Sequence, residues 1–297
     1  MIIIRIYEGL GNQMFQYAYA FALSKRMKKR NIKIYLDMRE NEVSPFDRKR
    51  FSRPLKIDDF NITLPIAKDH ELKHWNYIKQ KTFFQRRVNT FSEKGFWKYR
   101  IFVEDEFNFQ KEYLKIKDNS YVVGWFQHYQ YFERYRNELL KEFVLKEAWE
   151  TPRQIRELIE SRQVISIHVR RGDYVTNPVV RKSIGLCGKE YYLKAVDFFK
   201  RQVKEPYFLI FTNDEKWVVE NISNNLSCTI VSNHFGLTDV QEMLLMSQCN
   251  HNIISNSTFS WWGAWLNIHE DKIVVAPRRW FRDKKRDNIA MRNWIQI

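Results

Sequence analysis

The sequence predicts an α/β protein of two doubly wound halves facing each other across a cleft. Three observations carry this reading. The chain opens with an apolar run, a glycine-bearing turn and a long helical stretch, the start of a strand–helix–strand unit. Past residue 150, short apolar strands alternate with helical patterns, as in a parallel sheet covered on both faces. The length, 297 residues, suits about two domains.

In the first half, residues 2–7 form a buried strand, and Glu8-Gly9-Leu10-Gly11-Asn12 a short turn. A helix follows from about Gln13 to Arg30, with Met14, Ala18, Phe21 and Ala22 on one face. Its Lys/Arg cluster lies at the end where the helix dipole favours cations. Ile32 to Leu36 is a second strand, ending at Asp37. Residues 38–115 are polar, aromatic and basic without a clean period, so loops and short helices are expected there. Tyr121 to Phe126 reads as a strand, and 129–147 as a charged helix. Thr151-Pro152 is a helix start, and it divides the chain into halves 1–150 and 151–297.

The second half is more regular. Val164 to Val169 is a strand, 189–202 a helix, Tyr207 to Phe211 a strand and 229–231 a short strand. A helix from about Asp239 to Ser247, a strand at 251–254, a helix near 258–268 and a strand from Ile273 to Val275 complete the series.

Composition narrows the function. Hydrophobic residues at 44% and aromatic residues at 16% supply packed cores and exclude wholesale disorder. Cys187, Cys228 and Cys249 form no Cys-x-x-Cys pair, which points away from a disulfide framework or thiolate zinc and towards a reducing cytoplasm. The apolar start is too short for a signal peptide or membrane span. A net charge of +15 concentrates anions: nucleic acid, acidic lipid headgroups or a phosphate-bearing substrate. The stretches Lys81 to Arg87 and Phe96 to Arg100 interleave cations with aromatics as single-strand binders do. A nucleic-acid reading leaves the motifs below without a role, so nucleic acid is not expected as a partner.

The sharpest motif runs from Val164 to Tyr174. On a strand, Ile165, Ile167 and Val169 share one face, and Ser166, His168 and Arg170 the other. A buried arginine requires a matched anion or carboxylate. At the carboxyl end of a parallel strand a diphosphate would meet the Arg170 fork, and Gly172 would let the backbone approach. The alternative is an internal ion pair of Arg170 or Arg171 with Asp173. A second motif, Ser255 to Leu266, places hydroxyl and amide side chains at a helix start, where they cap N–H groups or build an anion site. Its tryptophans read as core. The third, Gly9-Leu10-Gly11-Asn12-Gln13, lacks the last glycine of a dinucleotide fingerprint and reads as a loop bringing Asn12 and Gln13 amides to a substrate. No Asp-x-Asp occurs, and His70 with His74 reads as solvated surface rather than a metal site.

Together His168-Val169-Arg170-Arg171-Gly172-Asp173-Tyr174, the opening from Gly9 to Ala18, Phe211-Thr212-Asn213-Asp214 and the run from Ser255 to Leu266 resemble glycosyltransferase family 11, the α-1,2-fucosyltransferases. The resemblance implies a GT-B architecture: two Rossmann-like domains, acceptor mainly in 1–150 and GDP-fucose in 151–297. It implies inversion from GDP-β-L-fucose, with no cofactor and no required metal. Arg170 then holds the β-phosphate and His168 lies near the guanine. Glu242 pairs with the guanine hydrogens, with Asp239 as the fallback. Asn256, Ser257 and Thr258 line the donor phosphates, Arg171 shares the leaving charge, Asn12 reaches the reacting centre and Gln13 helps bind the acceptor. Asp173, the carboxylate nearest Arg170 in sequence, is the expected base. The expected acceptor is a galactose-terminated glycan such as lactose or an O-antigen intermediate. The expected place is the cytoplasm, with peripheral contact at the inner membrane face.

Overall fold

The computed structural model describes residues 1–28, 33–38, 54–73, 100–104, 108–178, 181, 184–282 and 288–297. His74, the 81–87 stretch and residues 96–99 lie outside them. The chain divides into two compact units, Met1–Val144 and Leu145–Ile297. Each is a parallel sheet with helices.

In the first unit, β1 (Ile2–Arg5), β2 (Ile34–Asp37), β3 (Arg100–Val103) and β4 (Ser120–Val123) form a sheet of order β2-β1-β4-β3, with every pair parallel. Strand β3 falls inside the stretch expected to hold loops and short helices. Its residues alternate poorly in polarity and are part-exposed, so no period announces a strand. Helix α1 (Leu10–Met27) begins earlier than the expected Gln13, because Gly9 is its N-cap and the supposed turn residues Leu10, Gly11 and Asn12 form the first turn. It is buried almost all round through Leu23, which a one-faced amphipathic pattern understates. The expected helix at 129–147 shrinks to two 3₁₀ turns and α2 (Arg136–Glu142).

The second unit holds a six-stranded parallel sheet of order β10-β9-β8-β5-β6-β7. Its strands are β5 (Val164–Val169), β6 (Tyr207–Thr212), β7 (Cys228–Ile230), β8 (His251–Ile253), β9 (Val274–Ala276) and β10 (Ile295–Gln296). Helices α3 (Arg153–Ser161), α4 (Lys189–Gln202), α5 (Asp239–Gln248) and α6 (Thr258–Leu266) cover it. Strand β5 lies between β6 and β8 and all its residues are buried. As the alternation predicts, Ile165, Ile167 and Val169 enter one core with Tyr192, Phe199, Phe208 and Ile210. Trp261, Trp262 and Trp265 are core on α6, with Trp261 stacked on Trp265 at 6.3 Å and donating Nε1–H to the Ile289 carbonyl.

Helices α5 and α6 pack tightly at Gly263, where an added Cβ would meet Met246 Cβ at 3.0 Å and Cε at 3.1 Å. Filling a close-packed contact forces neighbours off their rotamers. Gly263→Val is therefore expected to cost about 1–3 kcal/mol, read as a lower unfolding midpoint in denaturant with an unchanged slope.

Candidate active site at the carboxyl edge of the second sheet

Strand β5 carries polar side chains into a covered sheet, so each needs an internal partner. Ser166 receives the Asn252 amide at 2.7 Å, and the Asn267 amide in turn donates to Asn252 Oδ1 at 2.9 Å. One turn of strand further on, His168 Nδ1 sits 2.9 Å from Ser255 Oγ, just past the end of β8. The imidazole is packed near Phe259, at 5.3 Å between ring centres. Burial first, and the Arg170 charge second, push its pKa down to about 3. His168 is thus a neutral hydrogen-bonding ring at physiological pH and a weak base.

The strand then ends and the two arginines separate. Arg171 Nε donates to Asp214 Oδ2 at 3.0 Å, and its guanidinium lies 4.2 Å from the Trp217 ring centre. Its backbone N–H donates to Asn213 Oδ1 at 2.8 Å. Gly172 is required for this: a Cβ there would stand 2.3 Å from Asn213 Nδ2. Arg171 therefore meets the carboxylate of Asp214, after β6. Asp173 lies in the short helix Gly172–Thr176, with its side chain outside the described residues. Arg170, part-buried, lies 5.6 Å from the Tyr174 ring centre.

The second motif closes the other side. Asn256 does not present its amide to a ligand: Nδ2 donates to the carbonyls of Ile184, Gly185 and Trp280 at 3.2, 3.5 and 3.2 Å, and Oδ1 receives the Cys187 thiol at 3.4 Å. It fastens two loops. Ser257 is the N-cap of α6, yet its side chain makes no capping bond. The N–H groups of the first turn, with the Ser257 and Thr258 hydroxyls beside them, thus lack a side-chain cap from Ser257, and a helix start of this kind can receive an anion.

Glu242 stands one turn into α5, with Asp239 exposed at the helix start. Its Oε2 receives the Ser232 hydroxyl at 2.9 Å, and Ser232 Oγ accepts from the Thr212 N–H at 3.0 Å at the end of β6. Burial raises its pKa to about 7, against the lowering effect of the Ser232 bond.

In the first unit, Asn12 and Gln13 have different fates. Gln13 is buried; its Nε2 donates to the Glu8 and Pro54 carbonyls at 2.5 and 3.1 Å, and its Oε1 accepts from the N–H groups of Lys56 and Ile57 at 2.8 and 3.0 Å. These bonds commit its amide to pinning a loop. Asn12, part-exposed, donates to Glu8 Oε2 at 3.0 Å and accepts from Gln127 Nε2 at 2.8 Å. Gln127 was not legible as a site residue. Asn213-Asp214 directly after an apolar strand was an available signal, whereas Gln127 has none, since its partner is 115 positions away.

Among the described residues no group of His, Cys, Asp or Glu is placed to hold a metal ion. None of the helices they form is long and apolar enough to cross a membrane.

Comparison with known proteins adds to this geometry. The model of glycosyl transferase family 11 matches residues 1–297. The O-antigen biosynthesis glycosyltransferase WbnK of Escherichia coli is 31% identical over 306 residues, covering 97% of this chain and 98% of that protein. An alpha-1,2-colitosyltransferase of Escherichia coli is 29% identical, covering 100% of this chain and 99% of its own. The galactoside alpha-(1,2)-fucosyltransferase 2 of Pongo pygmaeus is 27% identical, over 86% of this chain and 66% of the longer protein.

The raised pKa of Glu242 has a stability consequence. From its ordinary 4.5 to about 7, the folded chain binds this proton more tightly than the unfolded chain does. The group therefore favours folding most at low pH, and that contribution is lost as pH rises through the window. Glu242→Gln is expected to melt above the wild type at pH 8 and close to it at pH 5, by thermal unfolding at both values.

Proposed function

The chain belongs to glycosyl transferase family 11, and on that premise we propose that it transfers L-fucose from GDP-β-L-fucose to the 2-hydroxyl of a terminal galactose, with inversion to an α-1,2 linkage. The observation that carries this reading is the carboxyl edge of β5. There Arg170 follows a neutral, buried His168, and the same Ser255-Asn256-Ser257 segment that holds His168 opens a helix whose N-cap makes no side-chain bond. Crevices at the carboxyl ends of parallel strands hold nucleotides, and helix starts hold phosphates.

In this reading the second unit takes the donor and the first the acceptor. Arg170 holds the β-phosphate, and Arg171, braced by Asp214, fixes the loop beside it. His168 packs near the guanine and Glu242, ionised, accepts from the guanine N1 and N2 hydrogens. The C1–O bond breaks through an oxocarbenium-like state while negative charge builds on the departing GDP. Arg170 and the N–H groups at the start of α6 absorb that charge without a metal. The acceptor is a galactose-terminated glycan such as lactose or an O-antigen intermediate. The net charge of +15 supports a place at an acidic membrane face in the cytoplasm.

A second reading is favoured by the full-length likeness to an alpha-1,2-colitosyltransferase. Colitose is fucose without its 3-hydroxyl, so the two donors differ by one polar group. A site built to bond that hydroxyl would reject the deoxy sugar strongly.

The deciding experiment measures GDP release from GDP-fucose by the purified chain with lactose and excess EDTA, followed by linkage analysis. Lactose-dependent, EDTA-resistant release with an α-1,2 product is expected; faster release from GDP-colitose would select the second reading. Arg170→Ala is expected to lower kcat by about 10²–10³-fold, and an unchanged kcat would remove Arg170 from the site. The affinity for GDP is expected to weaken as pH falls through about 7, where Glu242 gains its proton, and this dependence is expected to vanish in Glu242→Gln.

A further inference from the structure

The first unit offers a carboxylate that the preceding reading does not use. Its sheet order, β2-β1-β4-β3, sends the chain from β1 to one side while β4 lies on the other. A parallel sheet places its ligand crevice outside the carboxyl ends at such a switch point. There, Glu8 follows β1 and Gln127 follows β4, and Asn12 joins them: Gln127 Nε2 to Asn12 Oδ1 at 2.8 Å, Asn12 Nδ2 to Glu8 Oε2 at 3.0 Å.

Two features set Glu8 apart from its neighbours. Its φ is +66°, a left-handed conformation that costs a non-glycine residue stability and is retained where the surroundings enforce it. It is also part-exposed, whereas Asp37, Glu104 and Glu142 are buried and serve the fold. Asp37 binds Arg5 at 3.1 Å and the Tyr121 hydroxyl at 2.5 Å. Glu104 accepts the N–H groups of Trp125 and Phe126 at 2.5 and 2.9 Å. Glu142 binds Tyr17 and both the N–H and hydroxyl of Thr63.

We propose that Glu8 is the base that takes the proton from the reacting acceptor hydroxyl, with Asn12 and Gln127 as positioning residues. This rests on the fucosyl-transfer reading above. The acceptor oxygen bonds to the fucosyl C1 as its O–H bond breaks, and the proton passes to a Glu8 carboxylate oxygen. The C1–O bond to GDP breaks at the same time, and its electron pair leaves with the β-phosphate. No further reactant is needed. The amide of Asn12 orients the carboxylate, and Gln127 fixes that amide in turn, so the three act as one chain across the switch point.

The test uses Glu8→Gln and Glu8→Gly in the full chain, with GDP-fucose and lactose. Glycine accepts a φ of +66° freely, so its fold is expected to survive while the carboxylate is lost. Both variants are expected to lose about 10²–10⁴-fold in kcat with GDP affinity unchanged, and added formate is expected to restore part of the rate to the glycine variant. Retention of most of the wild-type kcat in either variant would overturn the proposal. So would a loss that formate does not relieve, which marks a structural role, or a comparable loss confined to Asp173→Asn. The wild-type rate itself reports on the donor and acceptor, and the ratio of variant to wild type reports on Glu8.

Discussion

The hydrogen bond between His168 Nδ1 and Ser255 Oγ joins the two strand ends on which the rest of the candidate site depends. Strand β5 is buried along its whole length, so a polar side chain on it must be satisfied inside the protein or cost stability. His168 meets that condition by fixing the residue that follows β8. Ser255 then leads into Asn256, whose amide fastens the loops at Ile184–Gly185 and Trp280, and into Ser257, the N-cap of α6. A single buried contact thus sets the strand end that carries Arg170 and the helix end that would meet an anion.

The same burial sets the electrostatics. Desolvation keeps His168 neutral, so the cationic groups at this edge are the arginines and not the imidazole. Of the two, Arg171 has its Nε on Asp214 and its face on Trp217, and it holds the turn around Gly172 in place. An arginine fixed in that way acts as a brace for the turn. Glu242 is a contrasting case: burial holds its proton until about neutral pH, so its charge depends on solution conditions in a way that an exposed carboxylate's would not.

Much of this was legible in the sequence where periodicity or turn chemistry speaks locally. The alternation in Val164 to Val169 gives the face assignment correctly, and the buried tryptophans of α6 follow from its apolar pattern. Local signals fail where a partner comes from a distant segment. Gln13 and Asn256 read as ligand-facing amides because a sequence does not show which backbone carbonyls will reach them. The Arg171–Asp214 pair is hidden in the same way, because Asp214 lies beyond another strand and helix. Strand β3 was hidden because its residues are part-exposed and carry no period, and α1 started early because a glycine N-cap looks like a loop.

The proposed transfer requires the carboxyl edge of β5 to bind a guanine nucleotide whose diphosphate is neutralised by protein groups alone. Titration calorimetry of the purified chain with GDP in excess EDTA, with UDP as competitor, tests it most directly. GDP is expected to bind with EDTA present, and UDP to leave that binding unaffected. Absence of GDP binding, or binding that appears only when a divalent metal is restored, would contradict it.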